Sequence, residues 1–315
     1  MTKKAIAAPA RIWLLLGALL AVIGCASGQG SANAPEPQRK FVFAPRVGLV
    51  FRHEMKNTDE FAIVGSSFRD AVERRFVWEV TVGEQGDHYT YKRRLLQLGL
   101  TINGMKVLEG GEVEPRKAEI VQVMSRDGKV LDVVGTQELT DALVSLVAPA
   151  ARARVEEMFS AQNLRALLLA RATDAFEEVV GKPAEVGATW ESNDSWGVLK
   201  GKKIVVDSEV GCGGKHCLKL VRSFDVDQEK VADEVRKRAA GFMSDIGGDP
   251  AALKLVDSNV KVEDTFVVEP ETCHFHDMRL AQESRFVLEG PNQKRIQVAL
   301  ASTQEGHADY PVPSQ

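Results

Sequence analysis

The chain has 315 residues with 40 basic and 44 acidic side chains, a formal net charge of −4, and 44% hydrophobic residues. That length and apolar content suffice for one large domain or two small ones. A mildly acidic chain without a basic cluster is a poor candidate for nucleic acid or for electrostatic attachment to anionic headgroups.

Lys3, Lys4 and Arg11 precede an uncharged run from Ile12 to Ile23 that ends in Gly24-Cys25. A positive, then apolar, then small-residue order predicts an export signal. The run is shorter than the roughly 20 residues a spanning helix needs, so removal is expected rather than retention. Val22-Ile23-Gly24-Cys25 resembles the lipobox of bacterial lipoproteins, with valine where that family favours leucine. The resemblance implies cleavage before Cys25 and palmitate-type acyl chains on that residue, against an ordinary secretory signal as the alternative. Two or more chains hold a protein on a bilayer far more firmly than one. Loss of Lys3, Lys4 and Arg11 would leave 37 basic against 44 acidic residues, about −7 in formal charge. Ala26 is not the aspartate that retains enteric lipoproteins in the inner membrane, so the same resemblance implies the cell outer membrane, bordering the periplasm, with the leaflet left open.

Residues 1–24 are thus expected to be a signal peptide, 25–38 a flexible tether and 39–315 a single domain. The tether is small, polar and proline-bearing, and cannot bury enough surface to fold.

Within the domain, Val47 to Met55 opens as a strand. Val72, Arg74, Phe76, Trp78, Val80 and Val82 fall on one face of the next extended run, a period-two pattern. The segment from Tyr89 to Ile102 places Thr90, Lys92, Arg94, Leu96, Leu98, Leu100 and Ile102 on one face, and Gly83 to Asp87 supplies the turn of a hairpin. A second hairpin joins Ala118–Met124 to Lys129–Val134 through Ser125-Arg126-Asp127-Gly128.

Leucines and other apolar residues then recur at three and four, from Leu139 through Leu143, Leu146, Val155, Met158, Leu164, Leu167 and Leu168, and predict helices. Thr136 and Ser160 are expected N-caps. Further strands are expected at Lys202–Glu209, His216–Asp225, Asn259–Glu269, Cys273–Leu288 and Arg295–Ser302, interrupted by a helix from Gln228 to Ser244 capped by Asp227. This order predicts an α+β fold, a curved and mostly antiparallel, half-barrel-like sheet packed against a helical insertion.

The lipobox, the hairpins, Lys182-Pro183-Ala184-Glu185-Val186-Gly187-Ala188-Thr189-Trp190 and Glu269-Pro270-Glu271-Thr272 together resemble a class of uncharacterised envelope lipoproteins, related in shape to half-barrel lipoprotein-localisation carriers. In that class the first phrase opens a second group of strands and the second precedes a strand pair. The resemblance bears on fold more than on function.

Cys212, Cys217 and Cys273 remain after Cys25. Gly211 to Cys217 is a glycine-rich loop between strands, across which Cys212 and Cys217 can form a disulfide, with Cys273 left as a buried thiol. Zinc or copper(I) held by these cysteines with His216, His274 or His276 is the competing reading, although Cys-x4-Cys is not zinc-knuckle spacing. His274 and His276 share one face of a strand and are otherwise ordinary polar residues.

No nucleophile elbow, phosphate loop, dinucleotide fingerprint or zinc-protease motif is present, so no catalytic residue, metal or cofactor is assigned. Phe76, Trp78, Val80, Leu143 and Leu167 are candidate lining for an apolar ligand cavity, with Trp190 and Trp196 as further aromatics, although such residues also serve as ordinary core. The expected function is non-catalytic: a membrane-anchored lipoprotein that binds a hydrophobic or lipid-like ligand in its sheet. A structural or assembly role with another envelope protein is the alternative, and a metal-dependent enzyme a third.

Overall fold

The computed structural model describes residues 39–67, 69–108, 119–147, 149, 152–153, 156, 159–166, 168, 178–196, 199–227, 229–233, 254–290 and 295–311. The signal, Cys25 and all but Gln38 of the tether lie in residues 1–37, and with Gln38 they are outside these. Gln38–Gln315 form one compact unit.

The chain runs through β1 (Val50–Ile63), β2 (Arg69–Gln85), β3 (His88–Ile102), β4 (Met105–Leu108), β5 (Glu119–Met124), β6 (Val130–Val134), α1 (Thr136–Ser145), β7 (Thr189–Trp196), β8 (Leu199–Cys212), β9 (Lys215–Val226), β10 (Lys254–Val268), β11 (Phe275–Glu289) and β12 (Arg295–Asp309). Among the described residues, the twelve strands belong to one sheet, ordered β6-β5-β3-β2-β1-β12-β11-β10-β9-β8-β7, with β4 beside β3. Every pairing is antiparallel. The first and last strands meet in its middle, from Arg52 opposite Asp309 to Ile63 opposite Val298.

This overturns the α+β expectation: the fold is mostly β, one open antiparallel sheet, and not a sheet shared with a helical insertion. The reason is strand length. The sequence pattern stops β1 at Met55, starts β8 at Lys202 and stops β12 at Ser302. The strands in fact continue to Ile63, begin at Leu199 and run to Asp309. Each early stop falls where the buried face turns polar, at Asn57 and Asp59, Lys202, and Ser302 and Gln304, so that apolar alternation fades while backbone pairing persists.

Helical turns occupy 161–166 and 229–233, and the local start signals of both work as expected. The N–H of Asn163 donates to Ser160 Oγ at 3.3 Å, and that of Lys230 to Asp227 Oδ1 at 3.2 Å. Val155, Met158, Leu167 and most of the expected helix from Gln228 to Ser244 lie outside the described residues. Thr136 is not a cap but the first helical residue of α1; the cap is Gly135, left-handed at φ 86° and without a side-chain hydrogen bond.

A register shift re-aims β3. Trp78 is opposite Leu95 while Val77 is opposite Gln97, which leaves Leu96 as a bulge. Beyond it the faces exchange. Tyr91, Arg93 and Leu95 join Leu98, Leu100 and Ile102 on the inner face, whereas Thr90, Lys92 and Arg94, expected there, point outward. Arg94 pairs with Glu79 and Lys92 with Glu119 on the outside.

The sheet curves strongly. Phe41 packs edge-on against Trp190 of β7 at 6.3 Å, and Phe43 against Tyr89 of β3 at 5.6 Å. A flat sheet would put β3 and β7, eight intervals apart in the strand order, about 38 Å from each other at ~4.8 Å per interval. Two residues of chain reach only ~7 Å. The sheet must therefore wrap until both flanks meet the strap of residues 39–43, which also hydrogen-bonds Lys182 and Pro270.

Candidate functional site

The concave face carries two separate apolar clusters. The larger is built on Phe51, Trp78, Val80, Leu95, Leu98 and Leu220 among others and is capped by α1; the smaller holds Val231, Phe286, Leu288 and Val298 at the opposite end of the strands. Between them β1, β12 and β11 present Met55, Asn57, Asp59, Ser302, Leu280 and Gln282 to the inside, all half-buried. Met278 and Leu300 flank this band as partly buried margins of the two clusters. Met55 and Leu280 belong to neither cluster, so apolar surface stays accessible on the face that is elsewhere packed.

Of the expected cavity residues, Val80 and Leu143 are fully buried, Trp78 nearly so, and Phe76 partly buried against the same cluster. Phe76 stacks on Trp78 at 6.2 Å and meets Phe159 edge-on at 6.1 Å. These four come together as packed core beside the band. Leu167 lies outside the described residues, as does the side chain of Trp196.

Above the band, the bulge brings Arg93 inward. Its Nε donates to Gln122 Oε1 at 2.6 Å, and Nη1 lies 3.2 Å from His53 Nδ1. Burial, then Arg93, then His307 hold His53 down to about 3, so the ring is neutral at physiological pH and accepts from Arg93 at Nδ1. Burial also lowers the Arg93 guanidinium, though an arginine stays charged. Tyr310 caps this end: its hydroxyl donates to the Phe275 carbonyl at 3.0 Å, and its ring lies 4.6 Å from that of Phe51.

Arg93 was not among the residues singled out by pattern. One signal was available. Lys92, Arg93 and Arg94 are consecutive in a strand, where alternate side chains take opposite faces, so a basic residue must turn inward.

The opposite side of Tyr310 is a histidine and disulfide cluster. His274 stacks on the tyrosine ring at 4.9 Å and His276 lies at 4.7 Å. Cys212 and Cys217 are joined across the β8–β9 turn with Cα atoms 5.9 Å apart. Next to them Lys215 Nζ reaches both oxygens of Glu269 at 2.9 and 2.8 Å, and His274 Nδ1 lies 3.7 Å from the same carboxylate. Burial raises Glu269, but bonds from His274 and Lys215 outweigh it and bring the group to about 2. Burial pushes the Cys273 thiol up to about 12, which makes it a poor nucleophile at neutral pH.

The potential ligand atoms of Cys212, Cys217 and His276 lie within 4.8 Å of one another. While the two sulfurs are bonded to each other they offer no thiolate. Three soft donors would face one point only after reduction. His216, at the β8–β9 turn, is not part of that group. Among the described residues, no helix is long and apolar enough to cross a membrane.

No protein family matches the chain, and no curated protein does. Among solved structures, lipovitellin, described for its lipid–protein interactions, is weakly similar over 86% of this chain at 13% identity and a TM-score of 0.46. The chain spans about a quarter, 26%, of that protein's length. DynF from the dynemicin biosynthesis pathway of Micromonospora chersina aligns with 89% of this chain and 92% of its own, at 8% identity and a TM-score of 0.16.

Proposed function

We propose that this chain is a lipid-anchored protein of a bacterial cell envelope and that the concave face of its sheet receives a hydrophobic, acyl-bearing ligand. The observation that carries the ligand reading is the band between the two apolar clusters. Methyl and methylene groups of Met55, Leu280, Met278 and Leu300 lie on the inside of a wrapped sheet yet keep accessible surface. Covering such surface yields about 25 cal/mol per Å². Methionines at two of the four positions adapt to guests of varied shape. The anchor reading rests on Val22 to Cys25 and on the tether that follows.

Asn57, Asp59, Gln282 and Ser302 share the band, so the guest suited to it has polar as well as apolar parts. Arg74 and Ser302 already bind Asp59, each at 2.7 Å, which keeps that carboxylate from facing the guest alone.

The test is titration of the full-length chain carrying Cys25→Ser with a fluorescent fatty acid, alongside Leu280→Glu in the band. Saturable binding that Leu280→Glu removes is expected. No saturable binding, together with a stable complex with another envelope protein, would replace this reading with the interaction-surface one.

A further inference from the structure

We infer that Arg93 and His53 form the receptor for an oxyanion head on the ligand, a carboxylate or a phosphate; the inference rests on the band being a ligand trough and names which end of the ligand lies where. Among the described residues, four cations point to the inner face near the band, and three of them have a carboxylate. Arg74 pairs with Asp59 at 2.7 Å, Arg222 with Asp264 at 2.7 Å and with Glu178 at 3.2 Å, and Lys202 with Glu178. Arg93 is the exception. Its partners are the neutral Gln122 amide and the neutral His53 ring, and among the described residues no carboxylate lies within ion-pair distance.

A guanidinium cannot shed its proton to escape this position. A cation inside a protein without a counter-charge is strongly unfavourable. Two of its five N–H groups are used by Gln122 and His53, leaving a donor set matched to a planar or tetrahedral oxyanion. His53 positions it: with Nδ1 accepting from Arg93, the ring holds the guanidinium in place, and its hydrogen sits on Nε2, which faces the Gly306 side of the band.

The position fits the band. His53 is one same-face step along β1 from Met55, roughly 7 Å, and Gly306 opposite Met55 lies between His53 and Met278. A Cβ at Gly306 would stand 2.6 Å from Met278 Cγ and 3.6 Å from His53 Nε2, so only glycine lets the methionine chain lie against the histidine. A head bound at Arg93 and His53 thus has its tail directed over Met278 and Met55 toward Leu280 and Leu300.

Full-length Cys25→Ser protein, with and without Arg93→Gln, is titrated with dodecanoate, dodecyl phosphate and dodecanol. The unsubstituted site should prefer at least one anionic probe over the alcohol by about tenfold or more, the scale of a charge-assisted hydrogen bond. Whichever anion is favoured identifies the head. Arg93→Gln should erase the preference, bringing the affinity for the favoured anion down to that for dodecanol.

Equal binding of all three probes by the unsubstituted site, or an anion preference that survives Arg93→Gln, would overturn the head site while leaving the trough intact. Binding of none of the probes would overturn the trough reading and this inference with it.

Discussion

Nη1 of Arg93 and Nδ1 of His53 lie 3.2 Å apart on the inside of the sheet, on strands that are not neighbours. β2 stands between β1 and β3, so the contact exists only because the bulge at Leu96 and the curvature of the sheet aim both side chains at one point. It has a consequence for acid stability. His53 takes up its proton near pH 3 in the folded chain and near 6.5 when unfolded, so the unfolded state binds more protons between those values. Stability therefore falls on acidification from about pH 6.5. Glu269, at about 2 against 4.5, adds a second loss below pH 4.5. The urea midpoint should drop between pH 7 and 4; burial lowers His276 as well, so His53→Gln should reduce the part above 4.5 without abolishing it. An unsubstituted midpoint that is flat from pH 7 to 5 would contradict this.

Gly135 caps α1 at φ 86°, and a Cβ there would meet the Glu119 carbonyl oxygen at 2.3 Å. Gly65 has a similar φ of 82° with nothing within 4 Å. Gly65→Ala should lose about 1 kcal/mol from backbone strain alone. Gly135→Ala should lose more, about 2–3 kcal/mol, since β5 must shift as well. Urea denaturation of the two variants compares strain with strain plus clash.

The disulfide closes a short loop, worth about 2 kcal/mol in the chain-entropy view. Without reductant, peptide mapping after alkylation should find Cys212, Cys217 and Cys273 unmodified. Reductant should expose the first two, and Cys273, buried with its thiol at about 12, should label only on unfolding. Labelling of Cys212 and Cys217 in the folded, unreduced protein would show that they are not bonded.

Glu178 binds both Lys202 and Arg222 in the interior. Glu178→Leu leaves buried cations short of a counter-charge and should cost about 3–5 kcal/mol. A loss under 1 kcal/mol in thermal or urea unfolding would mean that the remaining partners, Asp264 among them, carry the network.

Cys25→Ser tests the anchor. Metabolic labelling with a fatty-acid analogue should mark the unsubstituted chain and not the variant; equal labelling of both would remove lipidation from the proposal.

The sequence alone was sufficient where the physics is local. Alternating polarity located β2, the turn chemistry of Ser125 to Gly128 located the β5–β6 hairpin, and the caps at Ser160 and Asp227 lie where short polar side chains can satisfy the first N–H groups of a helix. The spacing of Cys212 and Cys217 favoured a bridge and left a metal as the lesser alternative, because ligand geometry depends on which residues face them.

Tertiary structure decided the rest. Whether Tyr91, Arg93 and Leu95 or Thr90, Lys92 and Arg94 face inward turns on one unpaired residue at Leu96, set by pairing with β2 and invisible to a period-two count. The strands that cross the band looked shorter than they are, because Asn57, Asp59, Ser302 and Gln304 break apolar alternation while their backbones keep their hydrogen bonds. A polar residue on a buried face reads as a strand's end in one dimension, and only the neighbouring strands, which supply its partners, show that the strand goes on.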